Sequence, residues 1–264
     1  MKIAIIGAGN LGKSIAKGLI TTKAASSLYL TKRNIELLKE FKNLKGVSLT
    51  SDNALAIKNS DIIIFAVQPS QIENILKKVV PVIQENHVII STITGYSISK
   101  IEAVIGSDKY IIRAMPNTAI SVGQSMTCIA ANEKGKEKVK LALDIFNRLG
   151  HSLEIPEEKI QAATVICASG IAFWMRLIRA TTQGAIQLGF EAHEAQELAM
   201  QTCFGAASLL IKSGNHPEQE IDRVTTPMGC TIEGLNEMEH QGLSSSLIKG
   251  IVASFEKINQ IKKN

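Results

Sequence analysis

Short, almost purely apolar runs alternate with amphipathic stretches through the first 155 residues. Runs rich in Ile and Val predict strands at 2–6, 27–31, 47–49, 61–67, 87–92 and 110–115. Helical periodicity predicts helices over 11–21, 35–42, near 53–58 and over 70–80. Strands this uniformly apolar belong to a parallel sheet covered on both faces, so the pattern predicts a doubly wound α/β domain. Stretches at 125–131 and 150–155 predict edge strands, with a helix over 133–149 between them. After Pro156 the strand pattern stops, and helices are expected at 157–168, 170–188, 192–212, 217–224, 231–240 and 245–262. The expected division is therefore 1–155 and 156–264, without a low-complexity linker or an internal repeat. The helices at 170–188 and 192–212 are apolar around much of their circumference. A helix of that kind must be covered, and a second subunit is the expected cover, giving at least an obligate dimer.

Composition narrows the classes. The 45% hydrophobic and 20% charged content is that of an ordinary globular protein. The net charge of +5 is spread along the chain, and its densest basic runs, at 134–140 and 257–263, read as solvated helix faces. With few aromatic residues for base stacking, a nucleic-acid partner is not expected. Cys128, Cys167, Cys203 and Cys230 form no CxxC pair, which predicts reduced thiols and a cytoplasmic protein. The histidines never pair at i, i+4, so no metal site is expected. No stretch approaches 18 uninterrupted apolar residues, so no membrane span is expected, and the first strand begins too early for a cleaved signal.

Directly after the first strand stands Gly7-Ala8-Gly9-Asn10-Leu11-Gly12, a G-x-G-x-x-G that opens a helix. Gly7 permits the tight turn, Gly9 lets a diphosphate approach the backbone, and Gly12 lets the helix pack on the strand. The helix N-terminus offers N–H groups and a positive dipole end to the phosphates. A bare glycine motif is weak, but here strand, helix and alternating context agree on a Rossmann-type dinucleotide site. The second strand ends in Thr31-Lys32-Arg33-Asn34, with two cations where an NAD-binding chain carries an acid. Arg grips a ribose 2′-phosphate bidentately, so NADP(H) is favoured over NAD(H). The alternative is a pair of solvated cations at a helix start.

Ala66-Val67-Gln68-Pro69 and Arg113-Ala114-Met115-Pro116-Asn117-Thr118 fall at strand C-termini, the ligand-binding edge of such sheets. Thr225-Thr226-Pro227-Met228-Gly229-Cys230-Thr231-Ile232 runs from a loop into a helix, where Thr231 is a candidate cap and the N–H groups suit a carboxylate. Together with the glycine loop, Val122-Gly123 and His216-Pro217, these segments resemble the pyrroline-5-carboxylate reductase family over essentially the whole chain. The resemblance includes its 6-phosphogluconate dehydrogenase-like helical second domain. The arginine block, the His-Pro pair and the final loop are the specific matches.

That resemblance implies NADPH-dependent reduction of 1-pyrroline-5-carboxylate to proline. It places Thr231 at the substrate ring nitrogen and the N–H groups around Gly229, Cys230 and Thr231 at its carboxylate. Glu158 aligns with a substrate-proximal acid. Asn53, Gln68 and Gly95 fall at cofactor contacts, with Met115 and Asn117 towards the nicotinamide. It further implies a dimerising helical domain, and either a homodimer or a larger ring of dimers. The chain departs from the family where Gln68 replaces a clamp lysine, where the segment Ala168-Ser169-Gly170-Ile171-Ala172-Phe173 has lost a proline, and where Met228 replaces a glycine and Arg223 an asparagine. Reducing an already electrophilic protonated imine asks for positioning and fixed dipoles more than for a strong acid. The nearest alternative is another NADP-dependent imine reductase, or a 2- or 3-hydroxy acid reductase of the same fold. A hydroxy acid enzyme needs a proton donor, commonly a lysine on the first long helix of its second domain, and no lysine occurs between Lys159 and Lys212. A catalytically silent NADP(H)-binding regulatory protein is the other alternative, motivated by the altered loops.

Overall fold

The structure is a computed structural model that describes residues 1–263, with side chains through Gln260. Eight strands form one sheet: β1 (Lys2–Ile6), β2 (Ser27–Thr31), β3 (Val47–Thr50), β4 (Ile62–Phe65), β5 (Val88–Ser91), β6 (Tyr110–Met115), β7 (Ser125–Ala131) and β8 (Gly150–Glu154). Their order is β3-β2-β1-β4-β5-β6-β7-β8, and all neighbours are parallel except β6 and β7. The sheet is the doubly wound type that the apolar runs predict. Helices α1 (Asn10–Thr21), α2 (Asn53–Lys58), α3 (Pro69–Val79), α4 (Ile98–Ile105) and α5 (Val139–Asn147) complete it.

Strand residues alternate between two cores. Ile3, Ile5, Ile62, Ile64 and Ile90 pack with α1 and α5 residues such as Ile15, Leu19 and Phe146. Ala4, Ile6, Ile63, Phe65 and Ile89 pack with Ile57, Ile72, Leu76 and Ile101 of α2, α3 and α4. A period of two with both faces buried is why the strands read as unbroken apolar runs. The strand order reverses between β1 and β4, which opens a crevice at their C-terminal ends.

Three helical segments differ from their periodicity. The 35–42 segment is a 3-10 helix, Ile35–Phe41, bent at Leu38 (φ −109°, ψ 19°). Its buried residues, Leu38 and Phe41, stand three apart, and i, i+3 side chains eclipse in a 3-10 helix. The 133–149 segment breaks into a 3-10 turn, Lys134–Lys138, followed by α5, because the Gly135 N–H bonds to Asn132 Oδ1 at 2.7 Å and draws the backbone against β6. The 157–168 segment becomes a 3-10 turn (Glu157–Lys159), the short α6 (Ile160–Ala163) and a π turn (Thr164–Ser169). One α-helix has no counterpart in the sequence reading: α4, capped by Ser97 and anchored by Ile98, Ile101 and Ile105.

The helices beyond are α7 (Gly170–Gln187), α8 (Ala192–Ser213), α9 (Pro217–Val224), α10 (Cys230–His240) and α11 (Leu243–Lys263). By compactness the chain divides into Met1–Ser169, joined by residues from Ser254 onward, and Gly170–Ala253. In the second unit α7 packs on α8 and both leave large apolar residues open, including Trp174, Leu188, Phe204 and Ile211. Among the described residues one helical stretch, Glu157–Gln187, has the length and mean hydropathy (1.4) of a membrane span. Counting uninterrupted apolar runs passes over it, and Arg176 and Arg179 stand within it.

Candidate functional site

The crevice at the strand reversal is a cleft of about 1040 Å³. Its floor is the glycine turn. Gly7 has φ +95°, its N–H bonds to Thr31 Oγ1 at 3.2 Å, and the Ala8 N–H bonds to the Thr31 carbonyl at 2.8 Å. A Cβ on Gly9 would meet nothing within 4 Å, so its backbone faces open space. A Cβ on Gly12 would lie 2.5 Å from the Gly7 carbonyl oxygen, so the helix seats on the turn only as glycine. Helix α1 begins after Gly9 with no side-chain cap and no acid in its first turn, leaving its N–H groups to a ligand.

These glycines separate two expected effects. Gly12→Ala should destabilise the fold by about 1–3 kcal/mol, because backbone has to move. Gly9→Ala should unfold like the wild type and still bind a dinucleotide more weakly. Urea denaturation beside cofactor titration checks both, and equal stability of the two variants would contradict the packing role of Gly12.

Of the expected cofactor residues, Gly7, Ala8, Gly9, Lys32, Arg33, Asn53, Ala66, Val67 and Gln68 line this cleft. Asn10, Leu11 and Gly12 form the first turn of α1, and Pro69 the first residue of α3, behind the lining. Gly95 (φ +76°) lies in the turn after β5, Met115 ends β6 and Asn117 caps the 3-10 turn that follows it, and none of the three lines the cleft. The Asn117 side chain is engaged within the chain. Its Oδ1 accepts from the Ala119 N–H at 2.9 Å and its Nδ2 donates to the Cys167 carbonyl at 2.9 Å. The two cations after β2 also divide: Lys32 Nζ donates to the Ala8 carbonyl at 3.0 Å, whereas Arg33 is exposed at the cleft.

Sequence reasoning missed Glu157. Arg113 is a cation on a core strand, 3% exposed, and Glu157 Oε1 accepts from its Nη1 at 3.1 Å and from the Ile98 N–H at 2.7 Å. Burial draws the Arg113 guanidinium below its ordinary value, and Glu157 opposes that shift. The available signal was the buried arginine itself, which demands a carboxylate. The neighbouring Glu158 is exposed. Sequence distance also hid a thiol pair. Cys128 and Cys167, 39 residues apart, bring their Sγ atoms to 3.9 Å, and the hydrogen bond between them lowers Cys167 to about 7.

In the second unit, His216 and Pro217 start α9 as a capping box closed by Gln219. The loop that follows corrects two expectations. Gly229, not Thr231, is the N-cap of α10, so Thr231 stands at the second helical position with its side chain exposed. The Gly229 N–H is taken up by the Thr226 carbonyl at 2.9 Å, which leaves Cys230 and Thr231 as the N–H donors at the helix start. Met228 holds φ +61°, the left-handed conformation that its side chain resists and a glycine would not.

Residues 157–261 match the family described as pyrroline-5-carboxylate reductase dimerisation, and residues 2–95 match that described as NADP oxidoreductase coenzyme F420-dependent. Pyrroline-5-carboxylate reductase 2 of Dictyostelium discoideum is 43% identical, over 97% of this chain and 91% of its own. The chain belongs to the pyrroline-5-carboxylate reductase family. Pyrroline-5-carboxylate reductase 1 of the same organism is 46% identical over 97% of this chain, which spans about half, 49%, of that relative's length. The crystal structure of Plasmodium falciparum pyrroline carboxylate reductase with NADP bound superposes with a TM-score of 0.89 at 25% identity, covering 99% of this chain and 98% of that one. Family membership makes the chain an oxidoreductase that acts on a small molecule, and its dimerisation region marks it as self-associating.

Proposed function

We propose that this protein reduces 1-pyrroline-5-carboxylate to L-proline with NADPH, the last step of proline biosynthesis. The observation that carries the reading is the likeness to a pyrroline-5-carboxylate reductase over nearly the whole of both chains. The cleft fits the cofactor: an open Gly9 backbone and an uncapped α1 suit a diphosphate, and Arg33 at the β2 end suits a 2′-phosphate. NADPH, when bound, supplies the hydride. Gly7 to Gly12, Asn53, Ala66 to Pro69, Gly95, Met115 and Asn117 form the proposed cofactor path, with Lys32 bracing the glycine turn rather than meeting a phosphate. The Cys230 and Thr231 N–H groups hold the substrate carboxylate at the positive end of α10, the Thr231 hydroxyl meets the ring nitrogen, and Glu158 stands near the substrate.

The open apolar residues of α7 and α8 support a homodimer, or a larger ring of dimers, joined through residues 170–262, and self-association is what covers the apolar Glu157–Gln187 stretch. Four free thiols support a cytoplasmic setting. NADPH oxidation with pyrroline-5-carboxylate, set against 2-keto acids and a blank without substrate, tests the reaction. No rate above the blank would overturn it. Arg33→Ala is expected to weaken NADPH by about tenfold or more in a fluorescence titration while leaving NADH unchanged.

A further inference from the structure

The cleft has a second wall whose chemistry the proposed NADP(H) site has not used. Helix α3 buries Ile72, Leu76 and Val79 in the core beneath the sheet. The face beside that stripe, Gln71, Asn74, Ile75 and Lys78, lines the same cleft as the segment that carries Arg33. These positions fall at i, i+3, i+4 and i+7, so they form one row along the helix. Gln71 lies one turn from Gln68 at the start of α3, near the glycine loop that suits a diphosphate. Lys78 lies roughly 10 Å further along the axis, at 1.5 Å per residue. The row therefore runs along the cleft away from the glycine loop.

The charges along this cleft are not equally free. Asp52, its acid, accepts from the N–H groups of Ala54 and Leu55 at 2.8 and 3.1 Å as the cap of α2. Lys32 is held by the Ala8 carbonyl. Lys77, next to Lys78, turns to Glu73 in an i, i+4 pair at 2.6 Å. Among the described residues neither Arg33 nor Lys78 has an ion pair or a side-chain hydrogen bond within the chain, and both line the cleft. A phosphate monoester carries close to two charges near neutral pH, more than one guanidinium neutralises. A lysine on a flexible four-carbon stem meets such a group as a point charge from any of several directions.

We propose that Lys78 is a specificity-determining residue that meets the ribose 2′-phosphate of NADP(H) from the α3 side of the cleft, together with Arg33. The inference rests on the NADP(H) reading above. It also accounts for a cleft that binds a dianionic group although Gln68 supplies no charge.

Calorimetric titration of the full-length protein with NADPH, NADH, 2′,5′-ADP and 5′-AMP tests it without turnover. Lys78→Met keeps the length of the side chain and removes its charge, and it is expected to weaken NADPH and 2′,5′-ADP by about five- to fiftyfold. NADH and 5′-AMP should bind that variant as they bind the wild type. Lys78→Arg should restore binding to within about threefold, since it restores the charge. Lys77→Met, whose ammonium is engaged elsewhere, should match the wild type, and the exposed position lets all three variants fold. If the wild type prefers NADPH and Lys78→Met keeps that preference, the proposal is wrong and the cofactor reading stands. If the wild type binds NADPH and NADH equally, both are wrong.

Discussion

Replacing Thr231 by Val is expected to lower kcat/KM for pyrroline-5-carboxylate by about one to three orders of magnitude, with NADPH affinity unchanged. The structure makes the substitution a clean one. Had Thr231 been the N-cap of α10, losing its hydroxyl would have cost roughly 0.5–2 kcal/mol of stability and confused the result. Gly229 occupies the cap, Thr231 is exposed at the second helical position, and its hydroxyl makes no hydrogen bond among the described residues. Val keeps the branched shape, so stability should stay within about 0.5 kcal/mol of wild type. A hydrogen bond aimed at the reacting nitrogen acts where charge changes in the transition state, so its loss falls mainly on kcat. Thr231→Ser restores the hydroxyl without the methyl and should recover most of the rate. Steady-state kinetics on the three proteins decide the matter, and a Val variant at the wild-type rate would remove Thr231 from the chemistry.

The largest expected effect on stability belongs to Glu157. Its carboxylate is the charge partner of Arg113, whose side chain is 4% exposed and whose Nε has no hydrogen-bond partner. Glu157→Gln keeps an acceptor for the Ile98 N–H but leaves a buried guanidinium without a counter-charge. Breaking a fully buried pair in this way costs roughly 3–5 kcal/mol. Here the Glu157 side chain is 31% exposed, so water takes up part of the loss and about 2–3 kcal/mol is expected. Arg113→Met removes the need for a partner and should cost less, and Glu157→Gln should cost little in that background. The four proteins form a double-mutant cycle readable from urea midpoints at constant slope. Additive losses would mean that the two side chains are not coupled.

The residues show what a sequence makes legible. The strands announce themselves because burial on both faces demands an apolar residue at every position, as in Ile62 to Phe65. The glycine loop is legible because each glycine answers a local demand of the turn. The Arg33 reading rests on position along the chain and the Thr231 role on the family resemblance, and neither says which atoms engage their neighbours. Lys32 and Arg33 are adjacent and alike in charge, and only the approach of Lys32 Nζ to the Ala8 carbonyl separates them. Glu157 and Glu158 are likewise interchangeable on paper, until a residue 44 positions away selects the first. The thiol pair of Cys128 and Cys167 depends on how a strand meets a π turn, and no local pattern encodes that meeting. The broken 134–147 segment shares this cause, since packing of Gly135 against β6 overrode a serviceable helical period.

The apolar residues left open on α7 and α8 carry a consequence for how firmly the fold holds. A chain that covers such faces only by meeting its own kind has no fixed melting point of its own. Mass action enters its stability, and for the proposed dimer each tenfold dilution withdraws about 1.4 kcal/mol per mole of dimer. The sheet, with both faces already buried by its own helices, does not share that dependence. Dilution thus presses first on the helical unit, and the quantity of protein present helps to set how much of it is folded.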